Sequence, residues 1–342
     1  MQFGIFGGAA ARLVDITTEQ QLYNGFIDYV CEAEELGFKS FFIAEHHFSG
    51  ISQISAVLNF LSFLAARTTT MRLGTAVSVL TWHNPALLVE EAATVDVLSG
   101  GRLDLGLGRG YRRSEFDGFC IPFEEADARY SECLDFIRKA WTTKGPFSHH
   151  GKYWDFENIV VEPAPVQVPH PPLWVGAGSP KSLGAAAAQG FNVLLDQIAA
   201  PALIGERLQV YKSAVEEMGG TYHPHRVGVT RAFHLTTNQA ERELAYEHRA
   251  SFLLRASGLQ RDAKKQSSLG LPTSMDEIRD STEKSALIGQ PDEIIKRIQE
   301  LQALGVEYIM LMDVGLSHSS LRTFAREVMP AFADSKSVAS AA

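Results

Sequence analysis

The sequence predicts an α/β protein that folds as a (β/α)₈ TIM barrel, because strand-like and helix-like segments alternate eight times along its 342 residues. The strand-like segments are short apolar runs, which is typical of parallel strands buried on both faces. The helix-like segments repeat apolar residues every three or four positions. We therefore predict a single domain over residues 1–335, followed by a tail at 336–342.

Most predicted elements have clear boundary signals. The strands cover residues 2–6, 39–44, 73–80, 102–107, 171–175, 192–195, 226–235 and 308–312. The first helix follows a cap at Thr17-Thr18-Glu19 and closes at Gly37. The helix after the third strand begins at Asn84-Pro85 and ends at Ser99-Gly100-Gly101. Further helices are predicted through Leu58, Leu61 and Leu64, from Pro180 to near Gly190, and over residues 123–141, 202–218, 239–254, 291–304 and 317–332.

Two segments interrupt the alternation of strands and helices. The pattern at residues 146–161 indicates a hairpin-like insertion after the fourth strand. Residues 258–289, after the seventh strand, are polar and weakly periodic, which is unusual inside a compact domain. Because the loops that follow barrel strands face the active site, we predict that residues 258–289 form a lid over it.

Composition and charge narrow the classes of function. The net charge of -9 is spread along the chain, which argues against a nucleic-acid partner. Cys31, Cys120 and Cys133 lie far apart and match neither a disulfide framework nor a metal-ligand spacing, so we predict no metal site and a reducing compartment. The sequence shows no signal peptide and no bilayer-spanning apolar run, so we expect a cytoplasmic protein without a membrane partner.

Groups that can bind a phosphate follow the fourth and fifth predicted strands. Arg109 stands between two glycines after the fourth strand, and Gly178, Ser179 and Ser182 follow the fifth. An arginine, two hydroxyls and the free amides of a helix start are the groups that hold a phosphate monoester. Each has a structural alternative, because a Gly-Ser-Pro sequence is usually a helix cap and a single arginine is usually part of a surface ion pair.

Polar residues also follow the second predicted strand, at the same end of the barrel. They are Glu45, His46 and His47. Because imidazole exchanges a proton near neutral pH, a histidine at this end is a candidate general acid or base. Paired histidines beside an apolar strand are also commonly structural.

Seven sequence motifs in order show a family resemblance. They are FGIF near the amino terminus, AEHHF at 44–48, RLGTAVSVLTWHNP at 72–85, EEAATVDVLSGGR at 90–102, LGLGRGY at 105–111, PHPPLWVGAGSPKS at 169–182 and IGQPDEI at 288–294. Through these motifs the chain resembles the bacterial luciferase-like flavin-dependent monooxygenase family. They span most of the barrel, whereas residues 192–260 and the predicted lid match least.

The resemblance implies a binding site for FMN. Such proteins bind the FMN phosphate near the fourth and fifth strand exits, which corresponds to Arg109, Ser179 and Ser182, with close backbone approach at Gly178. Their third strand runs beneath the flavin ring and often contains a cis peptide that does not precede proline. That bond corresponds to Ala76-Val77 here.

The resemblance also implies a reaction and partners. His46 corresponds to the family histidine near the reacting flavin, and His47 to a structural neighbour. Reduced FMN and O₂ would oxygenate a small apolar organic substrate such as an aldehyde or ketone. Because no GxGxxG dinucleotide motif follows a strand, we expect reduced FMN to come from a separate NAD(P)H:flavin reductase. We also expect a homodimer. Two alternatives stay open, namely an F420-dependent oxidoreductase on the same fold and a non-catalytic flavin-binding subunit.

Overall fold

A computed structural model of the protein describes residues 1–8, 18–48, 54–258 and 274–333. These residues form a closed barrel of eight parallel strands with helices between them, which confirms the predicted fold class. The strands in chain order are β1 (Gln2–Gly7), β2 (Ser40–Ile43), β3 (Arg72–Thr75), β4 (Ser78–Val79), β5 (Leu103–Gly108), β6 (Phe147–His150), β7 (Asp155–Ile159), β8 (Leu173–Gly176), β9 (Asn192–Leu195), β10 (Val227–Leu235), β11 (Leu287–Gly289) and β12 (Tyr308–Asp313).

The helices surround the barrel. In chain order they are α1 (Glu19–Glu35), α2 (Val57–Arg67), α3 (Pro85–Ser99), α4 (Arg113–Gly118), α5 (Ala126–Thr142), α6 (Pro180–Ala188), α7 (Pro201–Glu217), α8 (Gln239–Gly258), α9 (Met275–Ser285), α10 (Pro291–Ala303) and α11 (His318–Thr323). As predicted, Asn84 caps α3 by accepting the Ala86 and Leu87 amides, and Gly100 closes the helix with a φ of 68°. The last predicted helix instead continues beyond α11 as a π-helical segment, Phe324–Val328, and a 3₁₀ turn, Met329–Phe332. No described helix has the length and apolar character needed to cross a membrane.

The barrel closes because β10 pairs with strands on both of its sides. Val227 and Val229 lie beside Val193 and Leu195 of β9, and Val229 also lies beside Ile309 of β12. Strand β12 pairs with β1, and the remaining neighbours follow in the order β1, β2, β3, β5, β8 and β9. Since all these strands are parallel, their carboxyl ends meet at one end of the barrel.

The third barrel strand is interrupted. Strand β3 pairs with β2 as far as Thr75, and β4 resumes pairing with β5 at Ser78. The peptide bond between Ala76 and Val77 is cis, as the resemblance implies. The prediction of one continuous strand over residues 73–80 is therefore wrong at these two residues, because apolar character does not report where strand pairing breaks.

The two predicted interruptions contain regular structure. Strands β6 and β7, within residues 146–161, pair antiparallel as a hairpin. Within the predicted lid, residues 259–273 lie outside the described residues. The rest differs from the prediction, because Ser274 caps α9, β11 pairs with β10, and the apolar side chains of Ile278 and Leu287 are buried. This part belongs to the body of the protein, and the lid stays a prediction for residues 259–273 alone.

Alternate side chains of the strands enter different apolar clusters, and two of the three clusters among the described residues are formed mainly by the barrel. Phe41 and Leu73 belong to the larger cluster, which lies between the strands and the helices. The smaller cluster fills the barrel interior with Phe42, Trp174, Leu194, Tyr308 and Met310. Near the amino ends of the strands, Arg72 pairs with Asp104 at 2.6 Å, and the Trp174 indole donates to Asp104 at 3.0 Å. The interior is therefore packed at its amino end.

Strand β5 approaches the third strand so closely that residue 106 must lack a side chain. A Cβ on Gly106 would lie 1.9 Å from the Thr75 carbonyl oxygen. The Thr75 hydroxyl also donates to the Gly106 carbonyl at 2.8 Å and accepts its amide at 2.9 Å. We expect Gly106→Ala to lower the free energy of unfolding by about 1 to 3 kcal/mol, measured by urea denaturation, because backbone must move to admit the methyl group.

The matched control is Gly184→Ala in α6, where a Cβ would meet no atom within 4 Å. This variant should be as stable as the wild type or up to about 1 kcal/mol more stable, because alanine favours the helix. Equal stability of the two variants would contradict the close contact at Gly106.

Candidate active site

A cavity of about 930 Å³ opens at the carboxyl ends of the barrel strands. All eight barrel strands or their exits contribute lining residues. Every site residue predicted from the sequence lies in its wall, namely His46, Ala76, Val77, Arg109, Gly178, Ser179 and Ser182. The fold therefore brings together residues that are up to 136 positions apart, from 46 to 182.

His46 is held by a buried carboxylate. Its Nδ1 lies 3.0 Å from Oε1 of Glu115, whose side chain is only 2% exposed. The same oxygen accepts the backbone amide of His47 at 3.0 Å, so Glu115 is the acceptor and His46 Nδ1 the donor. Burial lowers the pKa of His46 below 6.5 and Arg112 adds to this effect, while the bond to Glu115 opposes it. His46 is therefore neutral near pH 7, with a lone pair on Nε2 that can take up a proton.

Glu45 organises the residues beside His46. Its carboxylate faces Nε2 of His47 at 3.0 Å and Nε2 of His83 at 3.0 Å, and it accepts from Trp82 Nε1 at 2.7 Å and the Val79 amide at 3.3 Å. Burial raises the pKa of Glu45, but the hydrogen bonds from His47, His83 and Trp82 outweigh it and bring the pKa to about 2. Glu45 is thus ionised and holds the His47 ring in place, which supports a structural role for that histidine.

Arg109 lies at the rim of the cavity. Its guanidinium pairs with Asp127 at 2.8 Å, and the two side chains are 41% and 82% exposed. The Thr81 hydroxyl donates to the Arg109 carbonyl at 2.5 Å and so fixes its backbone. Because an exposed ion pair contributes at most about 1 kcal/mol, the guanidinium can exchange Asp127 for another anion.

Ser179 and Ser182 form the capping box at the start of α6. The Ser179 hydroxyl accepts the Ser182 amide at 3.2 Å, and the Ser182 hydroxyl accepts the amides of Gly178 and Ser179 at 3.2 and 3.0 Å. The structural alternative of a helix cap is therefore present, and the cap also places both hydroxyls in the cavity wall. Gly178 keeps this wall open, since a Cβ there would lie 3.3 Å from the guanidinium carbon of Arg207.

Two arginines of the cavity wall, Arg207 on α7 and Arg249 on α8, were missed by the sequence analysis. Arg207 pairs with Asp196 at 2.5 Å. The fully buried Arg231 on β10 does not line the cavity but donates to the Asp196 carbonyl at 3.1 Å. Arg249 is 1% exposed and donates to Gln197 Oε1 at 2.8 Å. Burial lowers the pKa of Arg231 to about 10 and that of Arg249 to about 9. In sequence these arginines lie far apart, so only the fold reveals the wall.

Glu115 was also missed, because the short helix α4 that carries it was not predicted. The available signal was a carboxylate in the segment after the fourth strand, where barrel loops carry functional groups. Within the described ranges, no three His, Cys, Asp or Glu side chains are grouped in a way that could hold a metal ion.

Comparison with known proteins decides the family. The family described as luciferase-like monooxygenase matches residues 1–308. The chain belongs to the luciferase-like monooxygenase family. The oxygenase component of the flavin-dependent trigonelline monooxygenase from Acinetobacter baylyi is 29% identical over 351 aligned residues, which cover 98% of this chain and 97% of the relative. This luciferase-like monooxygenase is thus a flavin-dependent enzyme.

Two solved structures share the fold of this luciferase-like monooxygenase. The oxygenating constituent of 3,6-diketocamphane monooxygenase from Pseudomonas putida, in complex with FMN, has a TM-score of 0.77 at 20% identity, with 96% of this chain and 98% of that chain covered. An F420-dependent secondary alcohol dehydrogenase in complex with an F420-acetone adduct has a TM-score of 0.76 at 17% identity, with 97% and 99% covered. At these low sequence identities, the similarity to the two structures shows a shared fold.

Proposed function

We propose that the protein binds FMN in the cavity and is the oxygenase component of a two-component system, in which a separate NAD(P)H:flavin reductase supplies reduced FMN. The observation that carries the proposal is that a phosphate-compatible rim and a neutral, oriented histidine line one cavity. Two relatives support it, because one is named an oxygenase component and the other contains FMN. The expected substrate is a small organic molecule such as an aldehyde or ketone. A homodimer and a cytoplasmic location remain predictions.

The rim fits a phosphate monoester. Among the described residues, the Arg109 guanidinium is held by one exposed ion pair, and the hydroxyls of Ser179 and Ser182, which bond to each other, can rotate toward a ligand. Arg207 adds a buried Nε that has no hydrogen-bond partner among the described residues, beside Gly178. An anion at this rim would thus meet a guanidinium, two hydroxyls and an unused donor.

The cavity also fits a flavin ring beside a substrate. Its volume of about 930 Å³ lies near the upper end of the roughly 300 to 1,000 Å³ typical of ligand sites. Ala76 and Val77 line it while packing on the interior cluster, so these two apolar residues offer a surface on which a planar ring can pack.

Bound reduced flavin would supply the two electrons that O₂ needs for one oxygen atom to enter the substrate and the other to leave as water. The residues of the chain bind and orient the reacting groups and protect them from water. His46 holds or receives a proton at Nε2, while Glu115 fixes its ring through Nδ1. Apolar lining residues such as Phe6, Leu107 and Leu194 help to exclude water from the reacting groups.

The test of this function is Arg109→Ala. Loss of the charged donor should weaken FMN by about 10- to 150-fold, since a charge-assisted hydrogen bond contributes about 1.5 to 3 kcal/mol. Riboflavin, which lacks the phosphate, should bind the variant and the wild type with similar Kd. Flavin fluorescence titration measures both constants.

Arg113→Ala is the control, because Arg113 is a half-exposed arginine on α4 that does not line the cavity. It should leave both constants unchanged. Equal weakening of FMN and riboflavin by Arg109→Ala would refute the phosphate assignment. Binding of F420 without binding of FMN would favour the F420-dependent alternative and contradict the proposed cofactor.

A further inference from the structure

One cation in the cavity wall, Arg249, is almost fully buried and lies beside apolar residues of its own helix. The spacing of a helix places Ala245, Arg249, Phe252 and Leu253 on one face of α8. Arg249, Phe252 and Leu253 line the cavity, and the side chain of Arg249 is almost fully buried. An apolar residue would suit this position better than an arginine unless the guanidinium has a ligand.

The hydrogen bonds of Arg249 leave part of its guanidinium unused. Nη1 donates to Gln197, whereas Nε is buried without a hydrogen-bond partner in the part of the chain that the structure describes. No described carboxylate lies within 4.0 Å of Arg249, while Asp196 already pairs with Arg207. Burial lowers the pKa of Arg249, and the neighbouring cation Arg231 lowers it further. A buried charge without a counter-ion is costly, so an anionic ligand would be strongly favoured here.

We propose that Arg249, oriented by Gln197, binds the carboxylate of the organic substrate. This inference rests on the proposed function and adds that the small organic substrate carries a carboxylate group. A planar guanidinium binds a carboxylate through two parallel N–H···O bonds, which fix the orientation of the ligand as well as its position.

Arg249 and Gln197 follow other strands than Arg109 and Ser179 of the proposed phosphate rim. Gln197 follows the sixth barrel strand, β9, and Arg249 lies on the helix after the seventh, β10. Arg109 and Ser179 follow the fourth and fifth strands, and His46 follows the second. In a ring of eight strands the second and the sixth lie opposite each other, so Gln197 and His46 stand at opposite sides of the cavity. A substrate held by Arg249 and Gln197 would therefore extend across the cavity toward His46.

The experiment compares carboxylates with their uncharged amides. Benzoate, nicotinate and hexanoate are each titrated against the corresponding primary amide, with ligand-induced thermal stabilisation as the readout, in the presence and absence of FMN. We expect at least one carboxylate to bind the wild-type protein ten-fold or more tightly than its amide. Arg249→Met, which keeps the length and apolar stem of the side chain, should abolish that preference.

Two further variants make the result specific. Arg242→Met changes an arginine on the same helix that pairs with Glu293 at 3.2 Å and does not line the cavity, so it should keep the wild-type preference. Arg249→Lys keeps the charge but not the planar fork, and should weaken the carboxylate several-fold. If Arg249→Met does not fold, Arg249→Lys is compared with the wild type instead.

Three results would overturn the inference. In the first, no carboxylate of the panel binds the wild type more tightly than its amide. In the second, the preference for carboxylates survives in Arg249→Met, and in the third, Arg249→Met weakens the binding of FMN far more than that of riboflavin. The last result would assign Arg249 to the flavin phosphate. A wild-type protein that prefers carboxylates but does not bind FMN would contradict the proposed function and leave the carboxylate site standing.

Discussion

Replacement of His46 by alanine is expected to lower the rate of substrate oxygenation by about 100-fold or more, because general acid–base catalysis contributes roughly 10² to 10⁴. The affinity for FMN should change little, since the proposed phosphate contacts lie at other strand exits. Rapid mixing of reduced FMN, O₂ and a substrate of the wild-type protein measures the rate, and fluorescence titration measures the affinity. Wild-type turnover in His46→Ala would place the proton transfer elsewhere.

Two further variants distinguish a role of His46 and Glu115 in the reaction from a role in the structure. His150→Ala removes an exposed histidine of the hairpin and should leave turnover unchanged. Glu115→Gln keeps the shape of the partner of His46 but removes its charge. Because Glu115 raises the pKa of His46, the acidic limb of the pH–rate profile should move to lower pH in this variant. A merely structural part for Glu115 would lower the rate without moving that limb.

Replacement of Glu45 by alanine should lower the free energy of unfolding at pH 7 by about 3 to 5 kcal/mol, as is typical when one partner of a buried ionic network is removed. The change leaves His47, Trp82 and His83 without their common acceptor. Urea denaturation measures the loss. Glu35→Ala on the exposed face of α1 is the control and should change stability by less than about 0.5 kcal/mol. A loss below about 1 kcal/mol in Glu45→Ala would show that other groups replace the carboxylate.

The pH dependence of stability gives a second test of Glu45. Its pKa falls from 4.5 in the unfolded chain to about 2 in the folded protein, so its contribution is complete above pH 4.5 and is lost as the pH falls toward 2. The shift corresponds to roughly 3 kcal/mol. Between these pH values, the stability of Glu45→Ala should therefore fall less steeply than that of the wild type.

The barrel was predictable because its signals are local. Buried parallel strands are apolar runs, and helices such as α3 carry their own capping residues at Asn84 and Gly100. The errors fall where the structure depends on distant partners. Strand pairing breaks at Ala76 and Val77, and β11 is a strand only because β10 extends beside it. Neither the break in strand pairing nor strand β11 can be predicted from the residues next to it in sequence.

The site was predictable to the extent that it follows strand ends. His46, Arg109 and Ser179 each stand within three residues of the end of a strand, and the barrel rule places such residues at one end of the barrel. Glu115 and Arg249 lie on helices, where a charged residue has the same appearance in sequence whether it faces solvent or the cavity. Their burial was settled by the packing of α4 and α8, which periodicity alone does not determine.

The packed interior of the barrel has a kinetic consequence. Phe42, Trp174 and Met310 fill the space below Ala76 and Val77, so the described barrel offers no passage from its amino end. Under the proposed function, cofactor and substrate then share one mouth. A flavin packed on Ala76 and Val77 would lie below the substrate, so it would have to arrive before the substrate and could depart only after the product. Steady-state kinetics should therefore show a compulsory order of addition, and a large excess of substrate should slow the exchange of oxidised for reduced cofactor.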